Sequence, residues 1–526
     1  MQVEKRGAAL IGSCALLFVA ACVAIARNNL PYMDDHDLIA LQREHGFWGP
    51  TRSVQGMWGY YRYFYTTMLA PLYWLLADHL WIARIMGLAM HLCNSFLLFR
   101  IAGNIGLSRT SQIFAFGLFL FFPFSLEAIA WPVNVTQYPL APMMALAGAA
   151  LISSPEEKNW KLALGVFLLG GSFWIHEQIG PIVILLLILC LATISQKRVP
   201  IASGVMLLIV ANLALVYVTR GSNMRLSGDS AGTLNNIIAH AGYATQLIRT
   251  TPFGDFYYYQ GGLAFDWRWL VGALVCAALV AWVAWKPVNS LNHRRSAFFF
   301  LMAAGAYVVS AAPILMPPIP WHTGRVIYMP FLAMTIALAF LVEIIARSHH
   351  IARSSMALRS GAAVVWEATA LKAESEAFDS QVTIGATRAA ALKPLVARDL
   401  KRDGTVIIAQ GWRYMDFNRP YFGEHFNGMT RSELFWSLGL PVESTPLYPY
   451  LIVSASRDRL CKLGDLLSAT VVTPRDEQAL RNAKNIVVAF WNGDRWVIQR
   501  DHPEPELSYL RPTTPECEPK SRPGNS

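Results

Sequence analysis

The sequence predicts an all-α polytopic membrane protein with about ten transmembrane helices, followed by a small C-terminal α/β domain. Three observations carry this prediction. Of the 526 residues, 54% are apolar and 15% are charged, and the mean hydropathy is +0.35. Mainly apolar stretches with few charges, as spanning helices must be, recur as far as residue 345. Beyond residue 374, short β-branched runs alternate with polar stretches, which is typical of a soluble α/β domain.

The composition excludes three classes of protein. An ordinary soluble enzyme is excluded because soluble domains carry about 25% charged residues, and the apolar fraction is too high for a disordered chain. Lys and Arg number 44 against 34 Asp and Glu, a net charge of +10. In a membrane protein this excess belongs to cytoplasmic loops, so nucleic acid is not predicted as a partner.

The first predicted span, Gly7–Ala26, follows Lys5 and Arg6. Its end, Ala24-Ile25-Ala26, also fits a signal-peptidase site, and in either case residue 27 emerges on the far side of the membrane. The other predicted spans are apolar segments with few charges, as spanning helices must be. They are Ile85–Gly103, Ser111–Ala128, Pro132–Ser153, Trp160–Ile175, Ile179–Ser195, Pro200–Val218, Leu270–Trp285, Ala297–Met316 and Val326–Ile345.

The distribution of cations among the short loops supports this alternation. Seven Lys or Arg residues fall in the four short loops of the inferred cytoplasmic side, and only Arg325 falls in the three short outer loops. The N-terminus is therefore predicted to be cytoplasmic. Tyr63–Ile82 is apolar enough to span, but a span there would reverse every later loop. We predict that it lies as a helix at the outer interface.

The predicted organisation follows from these spans. Residues 1–346 form the membrane module, with long outer loops at 27–84 and 220–266, and 347–373 form a linker or an eroded span. Residues 374–502 form the small α/β domain, with strands expected at Thr405–Ala409, Ala469–Val472 and Ile486–Phe490. In the tail 503–526, six residues of 24 are proline, which predicts disorder.

Three carboxylates stand close together soon after the first span, at Asp34, Asp35 and Asp37. Because like charges repel, an ordinary surface turn explains the group poorly, and a general base or a metal site is one interpretation. The other is a helix N-terminus, where Asp caps free N–H groups and favours the helix dipole. The motif by itself leaves both open.

Other ionisable residues fall at the outer ends of the predicted spans or in the outer loops. Ionisable groups at membrane depth are functional candidates, although each one singly is explained by interfacial solvation. Together they place acids and arginines on one face, while the opposite face is mainly basic. They are Arg62, Glu127, His176, Glu177, Asp255 and Arg325.

Several motifs of other functions are missing from the sequence. It contains no Gly-x-x-x-x-Gly-Lys-Ser/Thr loop, which argues against an ATP-driven pump. It contains no Cys-x-x-Cys pair and no His-Glu-x-x-His, so zinc chemistry has no support. No row of acids follows the predicted spans, which weakens a proton-coupled transporter.

Five short motifs, taken in chain order, resemble motifs of the GT-C glycosyltransferases, in particular those of the branch related to O-mannosyltransferases with tetratricopeptide repeats. Met33-Asp34-Asp35 resembles their acidic motif in the first outer loop. The other four pieces are Tyr61-Arg62 with His91 to Ser95, Phe122-Pro123 with Glu127-Ala128 and Trp131, Trp174 to Glu177 with Pro181, and Gly324 to Pro330. The family's Lys before Glu is His176 here, and the Pro after Arg62 is Tyr63. The family has a further span after this last motif, which is missing or eroded around residues 356–371 here. If the chain has ten spans the C-terminal domain lies in the cytoplasm, and if it has eleven the domain lies outside.

The resemblance implies transfer of a sugar from a polyprenyl-phosphate donor to a hydroxyl of a glycan, lipid or protein acceptor. The reaction would take place on the outer face of a bacterial cytoplasmic membrane. It implies that a carboxylate accepts the proton of the acceptor hydroxyl as a general base, with Asp35 as the first choice and Asp34 as the second. Arg325, Arg62 and His176 would bind the donor phosphate, and no ATP is needed. Glu127, Glu177, Asp255 and Asp37 would orient the acceptor or hold a divalent cation, Mg²⁺ or Mn²⁺.

Three alternatives stay open at this point. An O-antigen polymerase or ligase would share the many spans and the large outer loop but needs no early acidic motif. A secondary transporter would show inverted hydropathy repeats and broken spans, and no such symmetry is evident. A non-enzymatic assembly protein would tolerate loss of every outer acid.

Overall fold

The described residues of this chain form two compact units, one largely helical and one built around a small sheet. The helical unit comprises Met1–Asn29, Phe47–Asp379 and Arg419–Tyr421, and the second unit comprises the rest. A computed structural model describes residues 2–31, 34–52, 63–122, 125–154, 158–194, 197–219, 291–311, 324–348, 371–372, 375, 379, 382–383, 386–410, 450–454, 482–491 and 495–500. The predicted span Leu270–Trp285, the loop 220–266 and the tail 503–526 lie outside these residues.

The helices of the helical unit largely follow the predicted spans. In chain order they are α1 (Gln2–Ala21), α2 (Val23–Arg27), α4 (Tyr63–Leu76), α5 (Leu80–Asn104), α6 (Arg109–Leu120), α7 (Ser125–Ala130), α8 (Pro132–Val135), α9 (Leu140–Ile152), α10 (Asn159–Gly171), α11 (Gly180–Thr193), α12 (Arg198–Thr219), α13 (Leu291–Ala311) and α14 (Gly324–Ser348). The helix α3 (Asp34–His45) belongs to the second unit.

Four described segments are long and apolar enough to cross a membrane, which supports a polytopic membrane protein: Leu80–Asn104, Pro132–Ile152, Arg198–Leu215 and Tyr328–Ile345. The count of ten spans stays a prediction. The predicted interfacial segment contains α4, whose 14 residues fall short of the roughly 20 that a transmembrane helix needs.

Two predicted spans are interrupted in the structure. Ser111–Ala128 was expected as one helix, but α6 ends at Leu120 and α7 begins at Ser125. The sequence gives the reason, since Pro123 has no N–H to donate and disfavours a helical conformation in the residue before it. The next predicted span begins as α8, with Pro132 in its first turn, and continues as α9 only from Leu140. The outer ends of these segments are therefore short helices and turns.

Close helix contacts depend on two glycines. A Cβ at Gly87 of α5 would collide with the carbonyl oxygen of Ile129 in α7. A Cβ at Gly148 of α9 would lie 2.6 Å from the carbonyl oxygen of Gly165 in α10. Small residues let helix backbones approach in this way, which is how helices pack where no hydrophobic effect drives them together.

A buried hydrogen-bond cluster joins α14 to α5. The Oη of Tyr328 lies 2.8 Å from Nδ1 of His91 and accepts from Nδ2 of Asn94 at 3.2 Å. The Nε2 of His91 lies 3.1 Å from the carbonyl oxygen of Leu120. Because a carbonyl can only accept, Nε2 carries the proton of the neutral ring, and Nδ1 accepts from the tyrosine hydroxyl. The remaining N–H of Asn94 donates to the Pro139 carbonyl at 2.9 Å.

A second polar contact holds the far end of α14. Glu343, 1% exposed, accepts from the backbone N–H of Ser108 at 2.7 Å and from the hydroxyl of Ser111 at 2.8 Å. Ser108 is the N-cap of α6, so the carboxylate satisfies a free donor and favours the positive end of the helix dipole. Glu343 follows Tyr328 by 15 residues, about 22 Å along a helix. The helix α14 is therefore fixed at two widely separated levels.

The second unit contains a four-stranded sheet in the order β2-β1-β3-β4. The strands are β1 (Thr405–Gln410), β2 (Tyr450–Ser454), β3 (Asn485–Trp491) and β4 (Trp496–Arg500). The central strand β1 is parallel to both neighbours, with Ile407 opposite Leu451 and Val487, and β4 is antiparallel to β3. The predictions at Thr405–Ala409 and Ile486–Phe490 are confirmed, whereas β2 and β4 were missed and Ala469–Val472 lies outside the described residues.

The sheet packs its apolar face on a helical segment, residues 386–396. Ala389, Leu392 and Val396 of that segment are buried against Ile407 and Val487 of the central strands. A parallel sheet needs such a cover, because its strands are buried on their faces.

An ion pair with a buried carboxylate ties the end of β4 to the residues after that segment. Asp399, 1% exposed, accepts from Nη2 of Arg500 at 3.0 Å. At the surface, a hydrogen bond from Lys484 lowers the pKa of the Asp403 carboxyl, but so exposed a pair adds little to stability.

The buried cluster on α14 predicts the effect of removing one oxygen atom. Tyr328→Phe should lower the free energy of unfolding by about 1–3 kcal/mol, because His91 Nδ1 loses its donor and Asn94 loses an acceptor. Thermal unfolding in detergent measures this. Tyr307→Phe is the matched control, since the Tyr307 hydroxyl is also buried but has no hydrogen-bond partner among the described residues. Equal melting shifts for the two variants would contradict the assignment.

Candidate functional site

The acidic motif after the first span lies in a helix. The helix α3 begins at Asp34, so all three carboxylates occupy its first turn. This is the placement expected of acids that favour the positive end of a helix dipole. The Asp35 side chain is fully buried and has interactions within the chain, whereas the side chains of Asp34 and Asp37 lie outside the described ones. The role of a base stays a prediction for Asp35.

His176 lies in a tight turn between two short 3-10 helices, Ser172–Trp174 and Glu177–Ile179. It is 1% exposed. Its Nδ1 accepts from the backbone N–H of Gln178 at 3.2 Å. The Tyr138 ring packs against the imidazole with 4.9 Å between ring centroids. The turn leads directly into α11, so the imidazole caps the first backbone donors of a long apolar segment.

Glu177 stands beside this ring, with Oε2 3.6 Å from Nδ1 of His176. That distance exceeds hydrogen-bonding range, and the backbone N–H of Gln178 already occupies Nδ1. The contact is therefore electrostatic proximity. Glu177 is more exposed than its neighbour, at 29% of its side chain, so its carboxylate has access to the outside of the turn.

Buried amide side chains lie within this turn and just before Tyr138 in the chain, and none of them is predicted as a site residue from the sequence. Asn134 and Gln137 are buried, and Nε2 of Gln137 donates to Oδ1 of Asn134 at 3.0 Å. The Oε1 of Gln178 is buried and has no hydrogen-bond partner among the described residues. The signal was present, since polar residues are costly in an apolar segment and mark functional positions there. The prediction of one continuous span over residues 132–153 hides this signal.

A fully buried arginine, Arg84, joins three elements near the turn between α7 and α8. Its Nε donates to the carbonyl oxygen of Ala130 at 3.0 Å. Its Nη1 donates to Oδ1 of Asn28 at 3.1 Å and also to the Asn28 carbonyl. The Nδ2 of Asn28 donates in turn to Oδ1 of Asp379 at 2.8 Å. In the sequence, Arg84 falls at the end of the predicted outer loop 27–84. Its buried role is not predicted, because a side chain's partners in distant segments leave no local signal.

The helical unit brings together the elements that carry three of the predicted site residues. The helix α7, which contains Glu127, contacts both α5 and α14, and Arg325 is the second residue of α14. The 3-10 helix of Glu177 contacts α14 and α9. The side chains of Glu127 and Arg325 lie outside the described ones, as do all atoms of Arg62 and Asp255. For these four the predicted roles stay predictions.

The turn at His176 supplies an imidazole whose Nδ1 accepts a hydrogen bond, a partly exposed carboxylate, and the buried amide of Gln178. Asn134 and Gln137 add two further buried amides just before Tyr138, whose ring packs on His176. Among the side chains that the structure describes, no group of three His, Cys, Asp or Glu is placed to hold a metal ion. The divalent cation stays a prediction, since the side chains of Glu127, Asp37 and Asp255, three of the four acids proposed for it, lie outside the described ones.

Comparison with known proteins gave no matching family model and no matching curated protein. Among solved structures, ArnT from Cupriavidus metallidurans in the apo state aligns over 94% of both chains, with 12% sequence identity and a TM-score of 0.36. The same protein bound to undecaprenyl phosphate aligns over 92% of this chain and 93% of that chain, with 15% identity and a TM-score of 0.35. At these values the alignments carry no argument about the activity of the present chain.

The buried amide of Gln178 predicts opposite effects on stability and on function. Gln178→Met replaces a buried acceptor that has no partner among the described residues with an apolar group of similar length. Because a buried group without a hydrogen bond costs about 1–3 kcal/mol, the variant should unfold at the same or a higher temperature. If the turn binds a ligand through this amide, ligand-dependent activity should fall at least tenfold. Gln112→Met is the control, since that amide is used locally, between Leu107 and Arg109.

Proposed function

We propose that the chain is an integral membrane glycosyltransferase that moves a sugar from a polyprenyl-phosphate-linked donor to an acceptor hydroxyl. The observation that supports this best is the His91–Asn94–Tyr328 cluster. Two of the five resemblance motifs contribute to it, and their residues are 234 and 237 positions apart in the chain. Motifs that matched by accident would have no reason to meet in one hydrogen-bonded contact.

A second piece of support comes from the position of Arg325. It precedes Tyr328 by three residues in the same helix, which is just under one helical turn. The anchored tyrosine therefore restricts where the first turn of α14 can lie. Helix α14 in turn contacts α7 and the 3-10 helix of Glu177. An arginine in this first turn is suited to a phosphate, because its planar guanidinium can bind two phosphate oxygens at once.

The proposed reaction is a substitution at the anomeric carbon of the donor sugar. The acceptor hydroxyl oxygen forms a bond to that carbon, and the bond from the carbon to the phosphate oxygen breaks. The electron pair of the broken bond leaves with the polyprenyl phosphate. The proton of the hydroxyl passes to a carboxylate, for which Asp35 is the first choice and Asp34 the second. The donor bond is already activated, so the transfer needs no nucleotide.

The other proposed roles follow from where charge develops. The departing phosphate gains negative charge, and cationic contacts at that point stabilise the transition state. Arg325 and Arg62 are proposed for this role, with His176 donating through its ring. Glu177, which is partly exposed beside His176, is proposed to orient the acceptor together with Glu127, Asp37 and Asp255. The acceptor is a glycan, lipid or protein at the outer membrane face.

The base assignment predicts a large loss of rate from a nearly isosteric change. Asp35→Asn should lower sugar transfer about 10²–10⁴-fold, the usual contribution of a positioned general base, without abolishing donor binding. The measurement is transfer of a labelled sugar from a polyprenyl-phosphate donor by purified protein in liposomes. Glu44→Gln, an exposed carboxylate on the same helix, is the matched control. Full activity in both Asp34→Asn and Asp35→Asn would contradict the assignment.

The phosphate assignment predicts a loss of donor affinity. Arg325→Ala should weaken binding of the lipid-linked donor at least tenfold, and Arg325→Lys should restore part of it, because a lysine supplies charge without the planar fork. Equilibrium binding of a fluorescent polyprenyl-phosphate analogue measures this. Arg100→Ala removes an exposed arginine elsewhere in the unit and should leave binding unchanged. Unaltered binding in Arg325→Ala would remove this residue from the phosphate site.

A further inference from the structure

Four helix ends meet where α10 begins and α11 ends, at the opposite ends of these two helices from the His176 turn. The helix α11 ends at Thr193, α12 begins at Arg198, α10 begins at Asn159, and α13 begins at Leu291. One hydrogen bond between side chains and one from a side chain to the backbone join them. The Nζ of Lys197 donates to Oδ1 of Asn159 at 2.7 Å, and Nη2 of Arg295 donates to the carbonyl oxygen of Ala192 at 2.8 Å.

Two guanidinium groups converge on the last turn of α11. Arg198 donates through Nε to the carbonyl oxygen of Ile194 at 2.9 Å, and Arg295 contacts Ala192, two residues earlier. Free carbonyls at a helix C-terminus carry a partial negative charge equivalent to about half an electron. That is less than the two positive charges that these arginines bring. The cluster therefore has positive charge left uncompensated by the helix end.

No carboxylate among the described residues forms an ion pair with Lys197, Arg198, Arg294 or Arg295. Each arginine contacts its carbonyl through a single nitrogen, and among the described contacts the Nη groups of Arg198 and the Nη1 of Arg295 make no hydrogen bond. Lys158 and Lys161 at the start of α10 add two more cations. Counted in the sequence, residues 155–161, 197–198 and 294–295 contain six cations and two acids, Glu156 and Glu157.

The surroundings place this cluster at the level of lipid headgroups. Trp160, next to Asn159, is 61% exposed, and exposed tryptophans settle at the membrane interface. Beyond the cations, large apolar side chains are exposed along both adjoining helices, with Leu207 of α12 at 70% and Leu301 of α13 at 66%. Such side chains suit lipid tails. A lipid lying against α12 and α13 would therefore bring its phosphate to the arginines at their ends.

We propose that the cluster Lys197, Arg198, Arg294 and Arg295 binds the phosphate of an anionic phospholipid. By the distribution of loop charges this lipid belongs to the cytoplasmic leaflet. The bound phosphodiester supplies the missing negative charge, accepts from guanidinium nitrogens that do not contact carbonyls, and links the ends of α11, α12 and α13. This role is separate from the proposed sugar transfer.

The test is lipid binding by purified full-length protein, followed by native mass spectrometry in detergent with added phosphatidylglycerol or phosphatidylcholine. A cation near the membrane surface contributes about 1 kcal/mol to anionic lipid binding, so removing two should weaken phosphatidylglycerol binding about tenfold or more. The variant is Arg198→Gln with Arg295→Gln. Arg100→Gln, a lone exposed cation, should change binding less than twofold, and Arg198→Lys with Arg295→Lys should retain most of it.

The design leaves each outcome decisive. If the double variant does not fold, Arg294→Gln decides, because this exposed arginine has no described contact to lose and should still weaken phosphatidylglycerol binding severalfold. Equal losses in Arg100→Gln and the cluster variants would overturn the proposal. So would equal binding of the two lipids, or displacement of phosphatidylglycerol by millimolar inorganic phosphate, which would make the cluster a general anion site.

Discussion

The hydrogen bond between Tyr328 and His91 is the contact on which the arrangement of the helical unit depends. In the apolar interior of a membrane, a polar group without a partner is costly. The histidine, asparagine and tyrosine here hydrogen-bond to one another and to backbone carbonyls, although Oδ1 of Asn94 has no partner among the described residues. Each donor in the chain from Asn94 through Tyr328 to the Leu120 carbonyl meets an acceptor. Because these residues come from separate helices, the cluster specifies one packing of α14 on α5.

The second polar contact of α14, from Glu343 to the start of α6, restricts the orientation of the whole helix. A helix held at one level can still pivot, whereas two contacts about 22 Å apart leave little freedom. The first turn of α14, which carries Arg325, is therefore positioned by buried contacts that take no part in chemistry. The two kinds of residue suit different experiments. A substitution at Tyr328 changes the free energy of unfolding as well as any activity, whereas a substitution at the partly exposed Glu177 tests activity with a smaller effect on stability.

The ionisable residues divide by what they contact, and sequence alone did not make this division. Arg84 is fully buried and spends its donors on the backbone and side chain of Asn28 and on Ala130. Arg198 and Arg295 cap the end of α11, although their sequence position indicated only a cytoplasmic loop. The cations of this protein therefore have three kinds of role. They follow the positive-inside rule in the loops, cap helix ends, or form tertiary hydrogen bonds. By proposal, Arg325 and Arg62 bind the donor phosphate, whereas Arg198 and Arg295 bind the phosphate of a phospholipid.

The sequence by itself determined the helical segments, their approximate limits and two of the four strands, because hydrophobic period and β-branched runs are local properties of the chain. It also indicated the motif residues His91, Asn94 and Tyr328 without indicating that they touch. Only the tertiary structure decided that contact and the burial of the Gln178 amide. The physical reason is that a side chain's hydrogen-bond partner in another helix lies hundreds of residues away, where no local pattern records it, and only the packed bundle brings donor and acceptor within 3 Å of each other.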